Sequence, residues 1–190
     1  MSEPQPGPDG RLRCPWSLGA PEYIEYHDTE WGQPLHGVDA MFERLCLEAF
    51  QSGLSWITIL RKREAFRKAF AGFEIATVAA FTDADVARLL TDAGIVRNRA
   101  KIEACLHNAR VVAALDEPLD ELVWRFAPVS RARPHVTSVV PAVTPESTAM
   151  AKELKRRGFK FIGPTTAYAL MQATGMVDDH LQECWVPARS

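Results

Sequence analysis

Two cysteines and two histidines at opposite ends of the chain could together hold a metal ion. Cys14 and His27 lie near the N-terminus, and the segment DDHLQEC places His180 and Cys184 four residues apart near the C-terminus. On a helix, that spacing puts both side chains on one face. Two thiolates and two imidazoles form a closed tetrahedral zinc set, which is structural rather than catalytic. Short His-to-Cys spacings also arise by chance, so spacing alone leaves both interpretations open.

A single carboxylate interrupts the apolar stretch LCLEAFQSGLSW, which runs from Leu45 to Trp56. The apolar spacing from Val38 to Phe50 predicts a helix, and Glu48 lies off its apolar stripe. Taken alone, the residues favour a surface carboxylate that pairs with Arg44, four positions earlier, over a catalytic group.

A glycine-containing hairpin with cationic neighbours occurs in LKRRGFKFIGPTTAYALMQATG. Gly158 and Gly163 permit a tight turn, and the free amides where the next helix begins can bind a phosphate. A helix–hairpin–helix of this kind is a common sequence-independent contact to a DNA backbone. The alternative is a plain turn between helices with a solvated basic face. The dense cluster favours phosphate binding, since the chain carries a net charge of −2. Its cations are Lys155, Arg156, Arg157 and Lys160.

The segments that must position these side chains have apolar residues at helical spacing. No segment shows the alternation of apolar and polar residues that is typical of a strand. We expect an all-α protein. The predicted helices cover 38–50, a short one from Ser55, 63–70, 82–94, 102–113, 119–126, 147–157, 164–175 and 178–184. In TDADVARLLTDAG, Thr82 is the expected N-cap, with Asp85 at the third helical position. Two further basic runs, RKREAFRK and VRNRAK, are expected to be solvated helix faces unless they share a surface with the hairpin.

Length and composition allow one sizeable core, since the chain has 190 residues and is 47% apolar. We expect a disordered tail over residues 1–11, a helical domain of two packed lobes over 12–187, and a short tail over 188–190. The net charge excludes a wholly basic nucleic-acid sleeve. No apolar run reaches membrane-spanning length, and the N-terminus lacks a secretory signal. Four cysteines do not suggest a disulfide scaffold, so a cytoplasmic location is expected.

The motifs taken together resemble the 3-methyladenine DNA glycosylase I family over about residues 13–187. The segments that carry the resemblance are CPWSLG, YIEYHDTEWG, LCLEAFQSGLSWITIL, DAGIVRNRAKIEA, KRRGFKFIGPTTAYALMQATG and DDHLQEC. The resemblance implies a helix–hairpin–helix DNA glycosylase fold, with the hairpin over about 147–175. It also implies a structural Zn²⁺ that joins the two chain ends through the four ligands already named.

The resemblance assigns Glu48 to a base pocket, where the matching carboxylate hydrogen-bonds the edge of an alkylated adenine. Leu54 matches the residue that helps fill the gap left in the duplex by the extruded base, and Gln51, which lies beside it, is also assigned to DNA binding. The aromatic residues of or beside the pocket would be Trp16, Tyr23, Tyr26, Trp31 and Trp56. Hairpin contacts to DNA would come from Gly158, Lys160, Gly163 and Thr165. Asp178 and Asp179 lie where other helix–hairpin–helix glycosylases carry a catalytic aspartate, and we leave them out of the catalytic set.

The expected activity is hydrolysis of the N-glycosidic bond of 3-methyladenine in alkylated double-stranded DNA. Methylation at the third nitrogen makes adenine cationic, so the base departs neutral and needs little acid catalysis. A carboxylate and aromatic faces would distinguish this cation from neutral purines after base flipping. We expect a monomer without a protein or membrane partner. The rival interpretations are a non-catalytic DNA-binding module of the same fold and a zinc hydrolase.

Overall fold

The computed structural model describes residues 2–129 and 132–188, and it is predominantly helical. Over these ranges the helices are α1 (Pro21–Thr29), α2 (Val38–Gln51), α3 (Trp56–Ala69), α4 (Ile75–Ala79), α5 (Asp83–Thr91), α6 (Arg99–Ala113), α7 (Leu119–Trp124), α8 (Pro145–Arg156) and α9 (Pro164–Ala173). Short 3₁₀ turns cover Pro15–Gly19, Ala71–Phe73 and Thr137–Val139. The expectation of a helical protein is confirmed at this level. None of the helices in the described part is long and apolar enough to cross a membrane.

Helix α2 runs through the middle of the fold and contacts α3, α6, α7 and α9. Because neighbours surround it, the helix is buried on nearly every face rather than along one stripe. Its buried apolar side chains include Met41, Phe42, Leu45, Leu47 and Phe50. This central position explains why a residue off the predicted stripe, Glu48, is also buried.

The helix starts follow local sequence signals. Thr82 and Asp85 form the predicted capping box at the start of α5. Thr144 and Ser147 form a second capping box at the start of α8. Pro145 and Pro164 occupy the first positions of α8 and α9, where a missing backbone N–H costs nothing.

The N-terminal segment forms a short hairpin, whose first strand lies within the range 1–11 expected to be disordered. Gln5–Pro6 (β1) pairs antiparallel with Leu12–Arg13 (β2), with Gln5 opposite Arg13. The buried Arg13 guanidinium donates to Asp9 within the hairpin and to Asp28 on α1, at 2.6 and 2.8 Å. This ion-pair network fixes the segment against the body of the protein, a long-range effect that local composition does not reveal.

Two predictions about helices are wrong. The helix from Ser55 and the helix over 63–70 are one continuous helix, α3. The segment 178–184 is not helical, and a single turn closes there when the Cys184 N–H donates to the Leu181 carbonyl at 2.9 Å. Met1 and residues 189–190 of the predicted C-terminal tail lie outside the described residues, and the predicted division into two lobes stays a prediction.

Candidate active site and metal centre

One cavity of about 360 Å³ collects the predicted pocket residues from distant parts of the sequence. Glu48 and Gln51 reach it from the last turns of α2. Thr137 and Val140, on the segment before α8, line its other side. The aromatic lining is formed by Trp16, Tyr23, Tyr26, Trp31 and Trp56.

The aromatic side chains form a mutually supporting cage. Trp16 makes edge contacts with Tyr23 and Trp31, with ring centroids 5.5 and 5.1 Å apart. The Tyr26 and Trp56 rings lie 5.5 Å apart in a tilted arrangement. Edge-to-face aromatic pairs at these distances stabilise the fold beyond the burial of their surface area, and they restrict the orientation of the rings.

Helix α1 carries both tyrosines, three residues apart and therefore on neighbouring faces. The Tyr23 hydroxyl accepts a hydrogen bond from the Ile57 backbone N–H at 2.8 Å, at the start of α3. A pocket side chain thus satisfies one of the amides that a helix start leaves unpaired. The contact fixes α3, and with it Trp56, relative to α1.

Glu48 lies in the cavity wall, and its residue surface is only 5% exposed. Burial raises the pKa of its carboxyl to about 7, against the opposing charge of Arg44. Within the described ranges, no side chain forms an ion pair or hydrogen bond with this carboxylate. The predicted surface pair with Arg44 is wrong, because α2 is central and Arg44 has other partners.

Arg44 instead supports the cage from behind. Its buried guanidinium donates to the Tyr26 hydroxyl at 2.8 Å and forms an ion pair with Glu30. It lies 5.4 Å from the ring centroids of both Tyr26 and Trp56. Arg63 on α3 also binds Glu30, at 2.6 Å. Sequence reasoning missed this network because its members come from three elements.

Asp179 is a further carboxylate in the cavity wall. It is buried and accepts hydrogen bonds from the Tyr168 hydroxyl and the Gln172 side-chain amide, at 2.6 and 2.9 Å. Both donors lie on α9, so the carboxylate is anchored to that helix. Asp178 is not among the described residues that line the cavity, and it forms an ion pair with Arg133 at 2.8 Å.

The predicted metal ligands come together beside the cage. The ligand atoms of Cys14, His27 and Cys184 lie within 4.8 Å of one another, and all three residues are buried. His180 is not within this cluster, but its ring centroid lies 4.9 Å from that of His27. Its Nε2 atom is buried and has no hydrogen-bond partner in the part of the chain that the structure describes. An orphaned imidazole nitrogen next to three converging ligands fits a fourth bond to a metal.

The surroundings of these ligands also suit a metal. Asp28 Oδ1 lies 2.8 Å from His27 Nδ1, and Asp178 Oδ1 lies 2.9 Å from His180 Nδ1. A carboxylate on the far ring nitrogen is the usual partner of a zinc-bound histidine, because it fixes the tautomer that presents the other nitrogen. The Leu181 backbone N–H also points at Cys14 Sγ, at 3.4 Å.

A short loop between α2 and α3 forms part of the cavity rim. Gly53 adopts a positive φ of 79°, which allows the chain to reverse between Gln51 and Ser55. Leu54 is placed at the outside of this loop with 41% of its surface exposed. An apolar side chain beside a pocket mouth is suited to insertion into an apolar partner.

The hairpin between α8 and α9 is held by side chains of α6. Asn108 exchanges two hydrogen bonds with the Lys160 backbone, at 2.8 and 3.0 Å, and His107 Nε2 lies 2.8 Å from the Gly158 carbonyl. Gly158 and Phe161 both have positive φ, at 96° and 62°. Gly163 and Thr165 are exposed at the start of α9.

The basic cluster of the hairpin is partly neutralised. Arg156 pairs with Glu153 at 2.6 Å, and Arg157 pairs with Glu117 at 2.7 Å. Lys155 and Lys160 are exposed, and neither forms an ion pair within the described ranges. The cations available to an external phosphate are therefore fewer than the sequence suggests.

The helical scaffold thus carries an aromatic cage with a buried carboxylate in its wall. A cysteine–histidine cluster lies beside this cage. The sequence profile of the methyladenine glycosylase family matches residues 16–187, and the chain belongs to this family.

Individual relatives agree with that assignment. The chain is 46% identical over 180 residues to the DNA-3-methyladenine glycosylase 1 of Escherichia coli, covering 90% of this chain and 95% of the relative. It is 44% identical over 178 residues to the DNA-3-methyladenine glycosylase of Haemophilus influenzae, covering 90% and 96%. A crystal structure of 3-methyladenine DNA glycosylase I superposes with a TM-score of 0.90 at 44% identity, covering 93% of this chain and 100% of the other.

Proposed function

We propose that this enzyme hydrolyses the N-glycosidic bond of 3-methyladenine in alkylated DNA. The observation that carries the proposal is Glu48, a buried carboxylate that has no hydrogen-bond or ion-pair partner among the described side chains and faces a cage of five aromatic side chains. A buried anion without a partner is costly, and a cationic base supplies the missing charge. The names of the relatives point to the same substrate.

Recognition of the cation is the main task of the pocket. The alkylated nucleotide leaves the stack and enters the cavity, at a cost of a few kcal/mol. Glu48 accepts a hydrogen bond from the base edge, and the aromatic faces attract the cation by about 1–2 kcal/mol when desolvated. Neutral adenine gains neither the charge-assisted hydrogen bond nor the cation–π attraction, so it binds more weakly than the cationic base.

The chemistry requires little acid catalysis. The methylated base carries its positive charge before the bond breaks, so it departs as a neutral purine. Water then adds to the sugar carbon and loses its proton, which completes hydrolysis. None of the described residues that line the cavity carries an amine nucleophile, and this supports a hydrolytic enzyme without a lyase step.

The hairpin between α8 and α9 is proposed as a helix–hairpin–helix contact to the DNA backbone. Its support is the exposed start of α9 at Gly163 and Thr165, with Lys160 exposed beside it. Backbone amides at a helix N-terminus bind phosphate by hydrogen bonds and the helix dipole. The turn at Gly158 allows the close approach that such a contact needs.

The rim loop is proposed to act on the duplex. Leu54, exposed at the loop, would enter the gap left by the extruded nucleotide, and Gln51 lies next to it on the cavity side. Apolar wedges between base steps commonly stabilise opened DNA.

A structural Zn²⁺ is proposed to join the two ends of the chain. Cys14, His27, His180 and Cys184 would hold it, and a set of four protein ligands leaves no open position for water. Its support is the converging buried ligand atoms and the carboxylates behind both histidines. The metal would contribute to folding rather than to the reaction. We also propose that the enzyme works as a cytoplasmic monomer on double-stranded DNA.

Chromatography of the bases released from methylated DNA tests the activity. We expect the purified protein to release 3-methyladenine, with little unmodified adenine. A protein that binds this DNA but releases no base would instead be the non-catalytic module of the same fold. Activity lost on metal removal while the protein stays folded would favour the zinc hydrolase.

A further inference from the structure

Lys101 contacts the C-terminal end of α2 from inside the protein. It lies in the first turn of α6, within the basic run VRNRAK, and its residue surface is only 9% exposed. Its ammonium donates to the Phe50 carbonyl at 2.9 Å and also to the Ser52 carbonyl. A lysine expected on a solvated helix face is thus a buried donor to the backbone that leads into the rim loop.

Lys101 binds backbone carbonyls that the helix end leaves available. The Ser52 N–H donates to the Ala49 carbonyl, and the Leu54 N–H donates to the Gln51 carbonyl. The Lys101 ammonium donates to the carbonyls of Phe50 and Ser52. Because the last carbonyls of a helix have no partner within the helix, this ammonium satisfies acceptors that would otherwise need another donor.

The position of Lys101 is unfavourable for its own helix. A cation in the first turn of α6 opposes that helix dipole, and burial lowers the pKa of its ammonium. The same cation is favourable at the C-terminal end of α2. Lys101 therefore supports the end of α2 and the loop that follows it, rather than the stability of α6.

We propose that Lys101 is a positioning residue that holds the rim loop in the conformation in which Leu54 projects outward. The loop from Ser52 to Ser55 contains the positive-φ Gly53, so its backbone has other accessible conformations. Lys101 selects one of them by binding carbonyls on both sides of the α2 end. This inference rests on the proposed function, because an outward Leu54 matters only when a nucleotide is extruded from a duplex.

The test compares excision from double-stranded and single-stranded methylated oligonucleotides under single-turnover conditions. Lys101→Met keeps an unbranched, flexible side chain that is one atom shorter, and it removes the donors. We expect the duplex rate to fall about tenfold, the size of a lost charged hydrogen bond. Single-strand excision and binding of free 3-methyladenine should change less than about twofold. Equal losses on both substrates would overturn the proposal.

A double-mutant cycle shows whether Lys101 acts through the loop. We expect Lys101→Met to add little to the duplex defect of Leu54→Ala, because both remove the same function. Fully additive losses would contradict a shared role. Inactivity of the wild-type protein on both substrates would instead refute the proposed function.

Lys62 provides a matched control. Its ammonium also donates to two backbone carbonyls, those of Ala93 and Gly94 at 2.9 and 3.2 Å, but on a different loop. Lys62→Met should leave the duplex-to-single-strand ratio unchanged. If Lys101→Met does not fold, Lys101→Gln, an uncharged donor one atom shorter, serves as the second test. It should lower the ratio, and an unchanged ratio would overturn the proposal.

Discussion

The Glu48 carboxylate is held where its charge is disfavoured until a cation arrives. Burial raises its pKa to about 7, and the hydroxyl of Tyr26 and the indole of Trp56 in the same wall are not hydrogen-bonded to it. A charged base would replace the missing solvation with a charge-assisted hydrogen bond. The residue is therefore expected to be costly for stability and useful for recognition.

Glu48→Gln should abolish most excision of 3-methyladenine. The amide keeps the shape and loses the charge, which removes roughly 1.5–3 kcal/mol of interaction with the base and slows excision about tenfold to a hundredfold. Single-turnover base release measures the effect. DNA affinity, measured at the same salt concentration, should be unchanged, and a variant that excises at the wild-type rate would refute the pocket assignment.

The same substitution should stabilise the protein in a pH-dependent way. The folded pKa of Glu48, about 7, exceeds its ordinary value of 4.5, so the folded state holds the proton more tightly. The cost of burying the charge is absent below pH 4.5 and grows as pH rises through 7. Glu48→Gln should raise the free energy of unfolding by up to roughly 3 kcal/mol above pH 7. Denaturant titrations at pH 4.5 and 8 measure this, and an equal effect at both would contradict it.

Among the secondary-structure elements, helix ends and the loops next to them carry the functional groups. The last turns of α2 carry Glu48 and Gln51 into the cavity, and the next loop exposes Leu54. The residues at the start of α9, among them Gly163 and Thr165, are exposed beside Lys160. Cores of helices cannot do this, because their backbone groups are already paired.

Lys160→Ala should weaken DNA binding and lower its salt dependence by about one unit of slope, as expected for one lost phosphate contact. The matched control is Arg156→Ala, since the Arg156 guanidinium already pairs with Glu153 at 2.6 Å. Binding isotherms at several salt concentrations measure both slopes. Equal slopes for the wild type and Lys160→Ala would exclude this lysine as a phosphate contact.

Segments from near the two ends of the chain meet beside the cavity. Cys14 and Trp16 both line the cavity, and so does Leu181 from the C-terminal segment. The cysteine–histidine cluster and the aromatic cage therefore lie side by side, and Trp31 contacts the His180 ring at a centroid distance of 4.8 Å. Disruption of the cluster is expected to disturb the cage as well as the fold.

Cys184→Ser should remove the proposed metal and lower the melting temperature by several degrees or more, since structural zinc contributes directly to folding. Metal analysis of the purified protein and thermal unfolding measure the two effects. Cys105→Ala, at a buried cysteine outside the ligand cluster, should still carry one zinc per chain. Absence of zinc from the wild type, purified without chelator, would refute the site.

Local signals in the sequence were sufficient for much of the helical framework. The capping box at Thr82, the proline that begins α9 and the helical spacing of α2 depend on neighbouring residues, so a linear pattern predicts them. The predicted helix over 178–184 is wrong because long-range contacts hold the segment in another conformation: Asp178 pairs with Arg133, and the His180 ring packs against that of His27.

Most of the helices and the family resemblance could be predicted from the sequence alone. The burial of Glu48 away from an ion pair with Arg44, and the inward contact of Lys101 with the end of α2, could be seen only in the folded structure. Burial depends on what surrounds an element, and in the described part of the chain α2 contacts the helices α3, α6, α7 and α9. The spacing of apolar residues identifies one buried face of a helix. It does not show how many of the other faces are packed against neighbouring elements.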